Sequence, residues 1–195
     1  MTKVARTTTP WIVAAIVATL VPACAARQHQ QQLVSCRSSN SAFFLLEAQA
    51  VPSATFIPCV LPLPAGWSFG GSDVRSGLAR FWLDSDRAGL RAAELTLTRT
   101  CDTSGAVPAP LVPGTAGLSR YDQSTDPGHP DALSYFRFIG GCVTYRLSFA
   151  KGAAPRLFNE ADHALAFTPR SVYVTGVRDD TGLPLCGAGA PGCPG

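Results

Sequence analysis

Three histidines, 13 acidic residues and seven cysteines are the groups with which this 195-residue chain can do acid–base, metal or thiol chemistry. His29 sits in a glutamine run, Gln28 to Gln32, and reads as a linker residue. His129 lies in the turn-like cluster Asp126-Pro127-Gly128-His129-Pro130-Asp131. With one of the nearby serines it could form a nucleophile–His–Asp arrangement, but a triad is defined by geometry and no elbow is assigned to any serine. His163 follows Glu160 by three residues on a predicted helix, a spacing that lets two side chains share a metal; a solvated helix face explains it more simply. Asp84-Ser85-Asp86-Arg87-Ala88-Gly89 resembles the start of a calcium loop. It fails at Ala88 and at Leu95, where a carboxylate is required. Arg80, Arg87 and Arg91 around it could form a small anion site, or could pair with Asp84 and Asp86. No P-loop and no C-x₂-C pair occurs, so neither a cofactor nor a metal is expected, and no catalytic residue is assigned.

The composition narrows the partners. Hydrophobic residues make up 46% and charged residues 15%, which excludes a disordered chain. A net charge of +3 with no basic run argues against nucleic acid.

The elements that must position these groups follow from periodicity. Ala79–Asp84 and Ala92–Thr100 both alternate. Placing Asp84 opposite Ala92 sets Leu83 against Ala93, Phe81 against Leu95 and Ala79 against Leu97, all on one apolar face. Arg80, Trp82, Glu94, Thr96 and Thr98 share the other, and 85–91 makes the loop. Ser134–Ile139 and Cys142–Phe149 flank Gly140-Gly141, read as a two-residue turn. That register sets Phe138 opposite Val143 and Phe136 opposite Tyr145, with Tyr135 beside Arg146 and Arg137 beside Thr144. Thr55–Leu61 is an edge strand containing Pro58. Leu61–Trp67 is a stiff connector ending in a Trp that plugs the core. Phe43–Ala50 reads as either helix or strand. The stretch 104–130 holds no periodic element. Pro155–Phe167 is a short helix with Leu157, Phe158, Ala161 and Leu165 on one face, and 171–177 a last strand. The expected fold class is α+β: an antiparallel sheet of two hairpins plus one strand, with a short helix on one face and disulfide staples.

The N-terminus carries an address. Lys3 and Arg6 precede the apolar run Trp11–Val21 and small residues, the plan of a signal peptide spanning 1–23. Val21-Pro22-Ala23-Cys24 resembles a bacterial lipobox, which implies lipid on Cys24. Cleavage after Ala23-Cys24-Ala25 is the alternative. Residues 24–41 then form a polar tether, and 42–195 a single extracytoplasmic domain. Loss of 1–23 leaves 14 basic against 13 acidic residues, a net charge near +1. Export favours disulfides among Cys36, Cys59, Cys101, Cys142, Cys186 and Cys193. Of the 15 possible pairings, strand ends favour Cys101–Cys142. The flexible GAGAPG segment favours Cys186–Cys193, and Cys36–Cys59 remains.

Pro58-Cys59-Val60, Leu63-Pro64-Ala65-Gly66-Trp67, Arg80 to Gly89, Thr100-Cys101-Asp102 and Gly140-Gly141-Cys142-Val143-Thr144-Tyr145 resemble an uncharacterised group of exported actinobacterial envelope lipoproteins, over roughly residues 43–193. The resemblance implies an extracytoplasmic location and transfers no activity. The expectation is a binding or scaffolding protein held by lipid on Cys24 at the outer face of the cytoplasmic membrane, or else secreted. The alternatives are a small envelope hydrolase using the 104–131 loop and a sensor with an uncleaved anchor.

Overall fold

The two alternating segments pair as neighbours in a seven-stranded antiparallel sheet, in the register their apolar faces dictate. Ala79 faces Leu97, Phe81 faces Leu95 and Leu83 faces Ala93. The computed structural model describes residues 41–60, 63–111, 116–123, 131–182 and 184–185. The expected export segment 1–23, the lipidation at Cys24 and the tether as far as residue 40 lie outside the described residues.

In chain order the elements are α1 (Ser41–Ala50), β1 (Phe56–Val60), β2 (Trp67–Arg75), β3 (Leu78–Ser85), β4 (Gly89–Thr98), β5 (Val107–Ala109), β6 (Ser119–Gln123), β7 (Asp131–Phe138), β8 (Gly141–Ser148), α2 (Arg156–Ala164), β9 (Leu165–Pro169) and α3 (Arg170–Thr181). The sheet runs β2-β3-β4-β8-β7-β6-β5, and β1 pairs with β9 in a separate ribbon. The fold is α+β and mainly antiparallel, and a disulfide joins Cys101 to Cys142 with Cα atoms 5.7 Å apart.

One sheet face is buried. Phe81, Leu83, Leu95, Leu97, Phe136, Val143, Tyr145 and Leu147 pack there with Leu157 and Ala161 of α2. A smaller cluster joins Phe44 and Ala48 of α1 to Ile57, Cys59 and Tyr173. The opposite face alternates to polar side chains, as period-two pleating requires. Trp67 is 7% exposed and meets the Phe149 ring, so it does fill the core. Among the described residues no helix is long and apolar enough to cross a membrane.

Several expectations change. Phe43–Ala50 resolves as helix, because Phe44, Glu47, Ala48 and Val51 are buried at three- and four-residue spacing. The stretch 104–130 contains two strands, β5 and β6, which extend the sheet beyond β7. The segment 171–177 is helical, not a strand. Tyr173 and Gly176 are buried three apart, and Gly182 closes α3 in the left-handed region with its N–H on the Arg178 carbonyl. Burial of that stripe overrides the β-branched composition. The predicted helix 155–167 stops at Ala164, and Leu165–Pro169 becomes β9 because β1 offers it a ladder. The 85–91 loop shrinks to residues 86–88.

The second hairpin is shifted by two residues. Its turn is Ile139-Gly140, and Phe138 faces Gly141, Phe136 faces Val143 and Tyr135 faces Thr144. Contacts from afar set this register. Ile139 O accepts from Thr55 N (3.1 Å) and Thr55 Oγ1 (2.8 Å), while Gly140 O accepts from Ser53 Oγ (2.7 Å). Gly140 alone of the two glycines needs positive φ, at 71°, and a Cβ there would strike the Ser53 carbonyl. A two-residue slip keeps every side chain on its face. Phe136, Val143 and Tyr145 are therefore still core, while Phe138 is only partly buried, against Phe56 and Phe167. Tyr135 no longer faces Arg146, so the expected pairing of those two is replaced by others described below.

Candidate functional site

The outward sheet face carries the site. At its β2–β3 end a stack is built from the backbone up. Gly70 and Gly71 sit at a bulge in β2, where the register with β3 shifts. A Cβ on Gly71 would lie 2.5 Å from Trp82 Cζ2, and one on Gly70 2.6 Å from Trp82 Cδ1. Two adjacent residues without side chains thus leave room for the indole to lie across β2. Replacing Gly71 with Ala should displace Trp82 and cost about 1–3 kcal/mol, the usual range for overpacking. Urea melts with intrinsic fluorescence check this, and an unchanged midpoint and emission would remove the proposed floor.

Above the indole lies Arg91, its guanidinium carbon 4.3 Å from the ring centroid. Such a cation–π contact contributes roughly 0.5–1 kcal/mol at an exposed position. Arg91 has φ of 48°, the one positive value among the described non-glycine residues. Left-handed backbone costs an L-residue about 1–2 kcal/mol. The register also shifts between Leu83 and Ser85. Asp84 uses that irregularity to accept the Arg91 backbone N–H on Oδ1 at 2.7 Å. Bulges re-aim side chains in this way, and strain held by surrounding structure marks functional positions.

Around the stack, Arg80 Nε lies 3.7 Å from Glu94 Oε1. Arg146 stands directly across from Glu94 and is exposed. Farther along, the Arg137 guanidinium lies 5.9 Å from the Tyr121 ring, and Tyr135 donates to Gln123 Oε1 at 2.9 Å. Helices α1 and α2 pack on the inward face, α1 through Phe43 on Phe81 and α2 through Tyr145 on the Ala161 carbonyl, while α3 packs with the β1–β9 ribbon through Tyr173. Among the described residues, α1 and α2 therefore leave the outward face around Thr96 and Thr144 uncovered, edged by arginine on aromatic rings.

The other polar clusters serve the fold. Arg87 clamps Glu160 of α2 through two bonds, Nη1–Oε1 at 3.2 Å and Nη2–Oε2 at 2.6 Å, and also donates to Ala65 O. Trp67 Nε1 donates to the same carboxylate at 3.3 Å. The Arg87 hydrogen bond holds the Glu160 carboxyl below its ordinary range. Arg120 ties β6 to Asp122, Asp162 and Ser134. Burial works against its charge, but the two carboxylates outweigh it and raise its pKa. Burial pushes the Tyr145 phenol upward, and its hydroxyl donates to Ala161 O.

The structure sorts the sequence candidates. Arg80 and Arg91 share the outward face, but Arg87 turns to α2, so the three do not form one anion site. Asp84 and Asp86 part likewise, Asp84 to Arg91 and Asp86 to Arg87. Glu160 is engaged by Arg87 and Trp67, and His163 is exposed. No group of His, Cys, Asp or Glu able to hold a metal occurs among the described residues. His129 and the rest of its cluster before Asp131 lie outside the described residues. Cys59 is disulfide-bonded; Cys36, Cys186 and Cys193, and so the pairings expected for them, lie outside the described residues. The sequence reading missed the Gly70-Gly71 floor, whose signal was a glycine pair one strand away from Trp82. It also missed that Gly66-Trp67-Ser68-Phe69-Gly70 spells G-x-S-x-G. A nucleophile elbow needs a strand-to-helix turn, whereas Ser68 lies within β2 opposite Asp84. Gly187–Gly192 has G-x-G-x-x-G spacing and lies outside the described residues.

No family model matches the chain. No curated protein matches it either. Among solved structures it is similar to a crystal structure from Bacteroides thetaiotaomicron VPI-5482, at 10% identity and a TM-score of 0.33 over 69% of this chain, and it spans 62% of that chain's length.

Proposed function

We propose that the chain is an exported envelope protein, anchored by lipid on Cys24, whose outward sheet face binds a partner. The observation that carries the reading is the strained, stacked Arg91 on Trp82, on a face that α1 and α2 leave uncovered. The basic-then-apolar N-terminus supports export. A formed Cys101–Cys142 disulfide suits an oxidising compartment, and the resemblance to exported actinobacterial envelope proteins agrees with both.

Two measurements test it. Intact mass of protein recovered from producing cells should show Cys24 as the first residue, carrying acyl mass; a chain retaining Met1 ends the anchoring. For binding, the chain from residue 24 onward carrying Cys24→Ser, which lacks both the lipid and the apolar export segment, should sediment with isolated envelopes. Thr144→Glu places a carboxylate at the middle of the open face and should abolish that sedimentation without unfolding the protein. Equal sedimentation of the two would move binding off this face.

A further inference from the structure

We propose that Arg91 is the ligand-binding residue of this face and that the group it binds is an oxyanion, a phosphate or carboxylate. The inference rests on the reading of the outward face as a binding surface and names its ligand class. Four observations converge on it. The Arg91 guanidinium carbon sits 4.3 Å from the centroid of the Trp82 ring, and a guanidinium offers N–H groups in a fork suited to planar, bidentate recognition. No carboxylate lies within ion-pairing distance of it among the described residues. The neighbouring acidic groups have other contacts: Asp84 Oδ1 accepts the Arg91 backbone N–H, and Glu94 lies 3.7 Å from Arg80 Nε. Arg146, exposed and across from Glu94, adds a cation to the same face. On the same face Asp73 stands directly across from Arg80, so Arg80, Arg91 and Arg146 are matched in number by Asp73, Asp84 and Glu94, and the site suits one anionic group rather than a polyanion.

The backbone supplies the independent argument. Position 91 holds a left-handed conformation that glycine adopts freely, yet it carries arginine. A residue selected for the turn alone would be Gly or Asn. The strain is explained if the guanidinium is what the position must present, since stability is commonly given up at sites of function. The flanking glycines of β2 serve the same end by seating the indole beneath it.

The test follows the Arg91 Nε–H and Trp82 Nε1–H signals of the chain from residue 24 onward carrying Cys24→Ser, and so without lipid, by NMR, at constant ionic strength with chloride as reference. Inorganic phosphate, acetate and vesicles of phosphatidylglycerol in phosphatidylcholine are the probes. Saturable shifts of both signals are expected with at least one probe, while the Trp67 indole stays still. A response to soluble phosphate or acetate assigns a free anion; a response to vesicles alone assigns a headgroup phosphate. Arg91→Gly should raise the urea midpoint by relieving the backbone and eliminate the response. Arg91→Lys, which keeps charge but loses the fork, should weaken it about tenfold or more. Three results overturn the proposal: shifts no larger than those of chloride with every probe, a response retained in Arg91→Gly, or equal affinity in Arg91→Lys. Any of these alongside a sediment lost in Thr144→Glu would leave the binding face standing and remove only its ligand class.

Discussion

Removing the Cys101–Cys142 bridge should lower stability by about 4 kcal/mol, the chain-entropy value for a loop of this size. The two cysteines are 41 residues apart, and the loop they close holds β5, β6 and β7. Among the described residues these strands join the rest of the sheet only through the β7–β8 ladder. Cutting the bridge therefore frees, in the unfolded chain, a segment whose folded half depends on one strand pair. Cys142 is 2% exposed and faces Thr98 across the β4–β8 ladder, so the bridge pins the end of β4 to the centre of the sheet. The double replacement Cys101→Ala, Cys142→Ala is the cleaner variant because it leaves no buried free thiol. Urea melts of this variant against the parent, both under oxidising conditions, isolate the bridge from that of Cys59. A loss below about 1 kcal/mol would put it among unremarkable surface changes.

Lowering the pH from 8 toward 5 should stabilise this protein through Glu47, against the usual trend for carboxylates. Glu47 of α1 is fully buried, and neither carboxylate oxygen has a hydrogen-bond partner. Burial alone holds its pKa well above the ordinary 4.5. Its surroundings offer no remedy. Burial, and after it the Glu47 carboxyl, push the Tyr173 phenol up to about 12. Arg170 donates Nη1 to the Ala48 carbonyl at 2.7 Å, with Nη2 unpartnered. Below the ordinary value both folded and unfolded states hold the proton, and this group's contribution is fully present. Above it the unfolded chain ionises while the folded one does not. Stability then falls by about 1.4 kcal/mol per pH unit until the folded pKa is reached. Glu160 acts in the opposite sense, since Arg87 holds its carboxyl low. The comparison must therefore be with Glu47→Gln, which keeps every other group. The variant should be the more stable one at pH 8, by up to several kcal/mol, the effective penalty of an unpaired buried ion. The advantage should vanish near pH 4. Parallel stability curves for the two proteins would show that Glu47 is ionised in the fold and has a partner.

Local pattern determined much of this fold. The β3–β4 register was readable because six apolar residues alternate on one face, and a shift of a single residue would have exposed them all. The Cys101–Cys142 pair was readable because Cys101 follows closely on the end of β4 and Cys142 lies at the start of β8. Trp67 as a core residue followed from its place at the end of an apolar connector. What could not be read depended on partners distant in the chain. The β8 hairpin turns at Ile139-Gly140 because Ser53 and Thr55, more than eighty residues earlier, clamp its carbonyls. Residues 165–169 became a strand because β1 presented a ladder, and 171–177 a helix because its Tyr173 stripe is buried. The candidate site shows the same division. Arg80, Trp82, Glu94 and Arg91 were visible as polar residues of one hairpin. Only the tertiary structure decided that Arg87 would leave them for Glu160, and that Gly70 and Gly71 would lie under Trp82. Alternation sets which face a side chain takes, since it is a property of the strand itself. What lies beside that side chain is set by the neighbouring strand, whose register comes from packing across the whole sheet.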